Sequence, residues 1–217
     1  MKNKTFCIGL HKTGTCSLHE IAKIHGLNST HSTNWQNNFN QINLFDFFCD
    51  GGSHYDNQKE IDFELLGQKF ENSQFIINIR AVKPWVISKL KHAGWTHDTI
   101  IEQDKDQYLH HEWRIKSKKN ISLFIDHYYN RYINIFEHFI NKPQQAYYVD
   151  ICANEIEDLK FLFRDPKMSI VHANKNRKNI SLSQEVLDFI DSQILACESK
   201  SNKLNLLINN FKHKSLN

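Results

Sequence analysis

The chain has 217 residues, 40% of them hydrophobic and 24% charged, which is globular composition and excludes a disordered or fibrous chain. Its 27 basic side chains stand against 24 acidic ones, for a formal net charge of +3. That balance singles out neither nucleic acid nor a membrane surface as a partner. No apolar run reaches the ~20 residues of a bilayer span. The N-terminus also lacks the apolar core and small-residue cleavage site of a secretory signal, so a cytoplasmic protein without a membrane span is the expectation. Five scattered cysteines (Cys7, Cys16, Cys49, Cys152, Cys197) contain no CxxC pair, which argues against a disulfide framework or a zinc site.

Thr5 to Gly9 predicts a short buried strand, followed by a Gly/Thr-rich turn. From Ser17 the apolar residues Leu18, Ile21, Ala22 and Ile24 recur at helical spacing, and Gly26 fits a helix C-terminal cap. His31 to Gln41 is polar and reads as loop or irregular helix. Leu44 to Cys49 is apolar and ends at the turn Asp50-Gly51-Gly52. Ile61 to Phe70 predicts a helix, and Phe75 to Arg80 a second strand. Pro84 fits the first turn of a helix that continues through Leu90. Ile121 to Ile140 predicts a long amphipathic helix with Phe124, Tyr128, Ile135 and Phe139 near its buried stripe. Ala146 to Asp150 reads as a third strand, Glu155 to Phe163 as a short helix, and Ser181 to Leu207 as one or two terminal helices. Strands alternating with helices imply an α/β fold, a mainly parallel sheet flanked by helices. No repeat or linker divides the sequence, so 1–217 is expected to be one domain.

The first turn carries the chemistry. Gly9-Leu10-His11-Lys12-Thr13-Gly14-Thr15-Cys16-Ser17 combines glycines, a lysine and hydroxyls between a strand and a helix, the setting in which backbone N–H groups hold a phosphate. It is not a Walker A loop: Gly9 and Gly14 have the right separation, but Thr15-Cys16 follow the second glycine where Lys and Ser or Thr belong. Hydrolysis of ATP or GTP is therefore disfavoured. Cys16, at a helix N-terminus, would be an activated nucleophile only beside a histidine, and the sequence places none there. The histidines form no HxxxH or HExxH pair on a helix, which leaves no zinc signature.

The order Lys-Thr-Gly-Thr-x-Ser in "FCIGLHKTGTCSL" (Phe6 to Leu18) resembles the 5′-phosphosulfate loop of sulfotransferases that use 3′-phosphoadenylyl sulfate (PAPS). His11 stands where proline is common, and Cys16 where a second hydroxyl residue is usual. A second stretch, "FIINIRAVKPWVISKL" (Phe75 to Leu90), resembles that family's 3′-phosphate site, with Arg80 at a strand end and Ser88 eight positions later. An arginine fork suits a phosphate dianion. "NLFDFFCDGG" is similar to the Asp-containing segment between the two motifs in one branch of the family, and "HYYNRYINIFEHF", "AYYVDICANEIEDLKFLF" and "VHANKNRKN" to later segments, which extends the likeness over most of the chain.

The resemblance implies a P-loop NTPase-like sulfotransferase fold and transfer of a sulfuryl group from PAPS to a hydroxyl or amine, leaving adenosine 3′,5′-bisphosphate. It implies that His11, Lys12, Thr13, Gly14, Thr15, Cys16 and Ser17 hold the phosphosulfate, and that Arg80 and Ser88 hold the 3′-phosphate. Lys175 and Arg177, in the last of those segments, are candidates to join them. Lys12 would neutralise charge on the bridging oxygen, and the reaction requires no metal. A hydroxyl acceptor needs a base; Asp50 is the first candidate, His54 the second, with Asp46 and His31 behind them. The acceptor is open among small molecules, carbohydrates and lipids. Two alternatives stay open: a nucleotide-binding interaction module without strong transfer activity, and a phosphotransferase on the same fold.

Overall fold

In the computed structural model Thr5–Cys7 forms β1, buried at all three residues. The structure describes residues 3–32, 35, 39–50, 60–92, 117–170 and 181–215. The chain divides into two compact units, one made of Met1–Arg80 with Asn141–Arg177 and the other of Ala81–Ile140 with Lys178–Asn217.

The first unit is built on a five-stranded sheet. β1 is joined by β2 (Ser29–His31), β3 (Phe47–Cys49), β4 (Gln74–Asn78) and β5 (Ala146–Val149), in the order β2-β3-β1-β4-β5. Every pairing is parallel, as expected of strands separated by helices. Phe6 lies level with Phe48 on one side and Phe75 on the other. Successive side chains of a strand alternate between faces, so these three rings share one face. There they meet Trp35 and Phe70, with ring centroids 4.8–5.9 Å from Phe6. The opposite face takes Cys7, Phe47, Cys49, Ile76 and Val149, which pack with Leu18, Ile21 and Ala22 of α1 (Thr15–Ile24) and Leu159 of α6 (Glu157–Phe163). The strands are too short to show periodicity. Burial on both faces explains why they read as unbroken apolar runs.

α1 stops where Gly26 stands. With His25 as its cap, Gly26 N–H donates to Lys23 O and Leu27 N–H to Ala22 O, and Gly26 has φ 76°. This Schellman closure requires a left-handed residue, which glycine adopts without a Cβ penalty. β2 then begins at Ser29, and its last residue is a correction: the polar stretch from His31 was expected to be loop or irregular helix. Ser29, Thr30 and His31 are all only half-buried on the sheet edge, where no hydrophobic pattern is needed. The remaining helices of this unit, α2 (Phe39–Ile42) and α3 (Phe63–Lys69), are short. Asp62 caps α3 by accepting from Leu65 N–H at 2.8 Å.

The described elements of the second unit are helices: α4 (Val82–His92), α5 (Lys118–Phe139), α7 (Gln184–Ala196) and α8 (Glu198–Ser215). Ser117 caps α5 through Asn120 N–H. Tyr128, Ile135 and Phe139 lie on its buried stripe as expected, while Phe124 is only partly covered. The polar sequence of α8 holds as a helix because Leu204 and Phe211 are buried, Phe211 packing edge-on to Phe136 at 5.6 Å. Among the described residues no helix is long and apolar enough to cross a membrane.

Two cations are buried among the described residues of this helical unit, Arg131 of α5 and Lys89 of α4. Lys89 of α4 is 6% exposed, and its Nζ lies 4.2 Å from the Phe124 ring centroid and 5.5 Å from that of Trp85. Burial pushes its pKa down to about 7, and the two ring faces offset part of that cost by about 0.5–2 kcal/mol each. The unfolded chain keeps the proton to about pH 10.4. Between the folded and unfolded values the unfolded state therefore binds more protons, and stability rises with pH across that window. Lys89→Met should remove this rise. In urea denaturation the variant should exceed wild type by roughly 1–4 kcal/mol at pH 6, with the difference shrinking towards pH 10.

Candidate phosphate-binding site

The sheet order creates one place where neighbouring strands send the chain opposite ways. From β1 the next strands lie on the β3 side; from β4 the next strand is β5, on the other. The crevice beyond the C-terminal ends of β1 and β4 is thus the topological switch point, where open α/β sheets bind ligands.

Asn78, the last residue of β4, fixes the loop there. Its Oδ1 accepts Gly9 N–H at 2.9 Å, and its Nδ2 donates to Thr13 Oγ1 at 2.5 Å. Thr13 Oγ1 in turn donates to Leu10 O. Asn78 and Thr13 are both fully buried, so the loop is closed from inside. Gly9 cannot be replaced within this closure, since a Cβ there would lie 1.8 Å from Asn78 O. Lys12 and Gly14 take left-handed conformations, φ 65° and 89°, and bend the chain into α1. Gly14 is the N-cap and contributes no side-chain cap. The backbone N–H groups of the first helical turn, which have no intrahelical acceptors, therefore begin directly at the loop. Beneath Gly14 lies Ile151, whose side-chain atoms would be 3.0 Å from a Cβ.

Cationic groups gather on the β4 side. Arg80, two residues past β4, places NH1 3.4 Å from Lys12 O, a long hydrogen bond. Its guanidinium also acts on Asp150 at the end of β5. Burial raises the Asp150 pKa, against the pull of Cys152 and Ala153 N–H donors and of Arg80. Lys12 is half-buried on the loop.

On the other side, beyond β2 and β3, stand His31 and Asp50. Asp50 has φ 58°, and its Oδ1 accepts from Thr15 Oγ1 at 3.3 Å. Its Oδ2 is 3.8 Å from His31 Nδ1. His31 Nε2 lies 3.2 Å from Thr15 Oγ1 and 3.3 Å from Cys16 Sγ. The His31 pKa is raised, chiefly by the Cys16 hydrogen bond and further by Asp50, against burial.

The residues expected from the sequence are therefore distributed as follows. His11, Lys12, Thr13, Gly14, Thr15, Cys16 and Ser17 form the turn and first helical residues beside β1, and Arg80 meets Lys12 there. Thr13 departs from its expected use: its hydroxyl proton is directed at Leu10 O, inside the loop. Asp50 is at the sheet's C-terminal edge in contact with Thr15 and His31. Asp46 lies at the opposite end of β3, with its N–H on Asn28 O, away from that edge. Ser88 is on α4, partly exposed, in the other unit. His54, Lys175 and Arg177 lie outside the described residues. Asn78 was missed, although an amide inside the apolar run Phe75-Ile76-Ile77-Asn78 was a visible anomaly. No family model matches the chain, and neither a curated protein nor a solved structure matches it significantly.

The closure makes a stability prediction. Asn78→Ala leaves Gly9 N–H and the Thr13 hydroxyl buried without this partner and should cost about 2–4 kcal/mol. Thr13→Val should cost about 1–2 kcal/mol, and Gly9→Ala more than either. The check is the shift in urea midpoint at unchanged slope.

Proposed function

We propose that the chain is a sulfotransferase of P-loop-like fold that takes PAPS as donor and a hydroxyl or amine as acceptor. The observation that carries this reading is Arg80, held at the end of β4 alongside the Lys12 to Gly14 turn at the switch point. A turn of backbone N–H groups with a lysine fits one phosphoryl-type group, and an arginine fork beside it fits a second. The donor set, Lys12, Ser17, the first turn of α1 and Arg80, is cationic and hydrogen-bond donating, as an anionic nucleotide demands. Ser88 is included on its sequence spacing from Arg80.

Sulfuryl transfer resembles phosphoryl transfer, with charge on the equatorial oxygens and an in-line displacement. Catalysis is then positioning and electrostatic stabilisation. The Lys12 ammonium would stabilise the oxygen that leaves sulfur. Ser17 and α1's first turn would fix the group being transferred. Asp50 would accept the acceptor's proton, with the Thr15 hydroxyl and His31 holding its two oxygens in place.

Isothermal calorimetry tests this. Adenosine 3′,5′-bisphosphate should bind without added Mg²⁺ and more tightly than ADP or ATP. Arg80→Ala should weaken that binding at least tenfold, the scale of one charge-assisted contact. Equal or tighter binding of ATP would sink the assignment.

A further inference from the structure

The loop residue that departs furthest from a phosphate-binding role is Cys16, a thiol where a hydroxyl would serve better. Its surroundings give it a different chemistry. Three separate elements converge on it: Cys16 in the first turn of α1, His31 at the end of β2 and Asp50 just past β3. Sγ lies 3.3 Å from His31 Nε2, and His31 Nδ1 lies 3.8 Å from Asp50 Oδ2. Nucleophile, base and orienting carboxylate thus stand in the sequence that activates a thiol. The imidazole is flanked by an acidic group at each ring nitrogen, which favours its doubly protonated form. An imidazolium and a helix N-terminus both favour the thiolate over the thiol. Cys16 is also partly exposed, whereas Cys7 and Cys49 are buried.

We propose that Cys16, His31 and Asp50 form an activated thiol, a covalent modification site for peroxides set within the phosphate loop. In the reaction the Cys16 thiolate attacks one peroxide oxygen. An S–O bond forms as the O–O bond breaks, and the departing hydroxide takes the His31 proton and leaves as water. Cysteine is oxidised by two electrons to the sulfenic acid, whose oxygen keeps its peroxide proton, and peroxide is reduced to water. Among the described residues the other titratable groups facing this cluster are Cys49 of β3, which interacts with both Cys16 and Asp50 and whose thiol burial pushes up, and His19, Glu20 and Lys23 of α1. His19 shares a hydrogen bond with Ser29 Oγ at 2.7 Å, stands 5.7 Å ring to ring from His31, and has its pKa lowered by burial and by His31. Glu20 Oε1 is 3.9 Å from His19 Nε2.

The test is site-resolved alkylation of the full chain by iodoacetamide, read by peptide mass spectrometry, with exposed Cys152 as the internal reference. An ordinary thiol loses about fifty-fold in rate between pH 8.5 and pH 6.5, following its thiolate fraction. Cys16 should lose less than fivefold, whereas Cys152, whose thiol burial pushes up, should show the full loss. His31→Gln should return Cys16 to the ordinary pH profile. With hydrogen peroxide at pH 6.5, dimedone labelling should concentrate on Cys16. A fifty-fold pH effect at Cys16 in the wild type, or a rate below that of Cys152 at pH 6.5, overturns the proposal, as does an unchanged profile in folded His31→Gln. The wild-type profile decides the matter even if that variant does not fold. No nucleotide enters the assay, so its failure is separable from failure of the sulfotransferase reading.

Discussion

The N-terminal half of the first unit depends on one buried amide. Asn78 ends β4, yet its side chain serves the loop after β1: one atom holds Gly9 N–H and the other holds Thr13 Oγ1. A buried polar group is stable only when its partners are supplied, and Gly9 and Thr13 of the loop supply two of them. Strand pairing and loop conformation are therefore coupled. β1 and β4 cannot shift register without opening the turn, because Gly9 has no room for any atom between itself and Asn78 O. Thr13, which sequence order alone would aim at a ligand, is consumed by this closure. The loop gains a fixed shape and gives up one hydroxyl donor.

Sheet order then sorts the chemistry. The chain ends that carry Lys12, Arg80 and Asp150 belong to β1, β4 and β5; those that carry His31 and Asp50 belong to β2 and β3. α1 begins between the two groups, with Thr15 and Cys16 in contact with the β2 and β3 side. Lys12, Arg80 and Asp150 thus lie on one flank of the loop, and His31 and Asp50 on the other. Parallel strands make this inevitable in kind, since all of their C-terminal ends share one edge. Which residue sits on which flank is decided by strand order, which no local sequence pattern encodes.

That difference explains what could be read in advance. The α/β class and the parallel sheet follow from apolar runs alternating with helical spacing, and β1, β4 and β5 are visible as such runs. β2 is not, because Ser29, Thr30 and His31 hold an edge by backbone pairing and bury no complete side chain. Gly26 was legible because a left-handed cap nearly demands glycine. Arg80 and the loop were legible as local strings, but their meeting needs β4 to lie beside β1, 70 residues away in sequence. The His31 contact with Cys16 is hidden for the same reason: β2 must pair with β3 before its last residue can reach α1. Asn78 could have been caught, since an amide at the end of an apolar strand must find partners in whatever adjoins it.

Two residues of the site hold left-handed backbone without being glycine, Lys12 with φ 65° and Asp50 with φ 58°. For an L-residue that conformation costs roughly 1–2 kcal/mol, less for Asp, whose short side chain can bond locally. Glycine at either position would relieve the cost at once. It would also remove the ammonium from the loop at position 12 and, at position 50, the carboxylate that holds Thr15 and faces His31. The strain is thus borne at two points where a charged group is fixed at the end of a parallel strand. The inference runs from observed strain to use: a loop needed only to turn the chain would be more stable with glycine at 12, and this one carries a lysine.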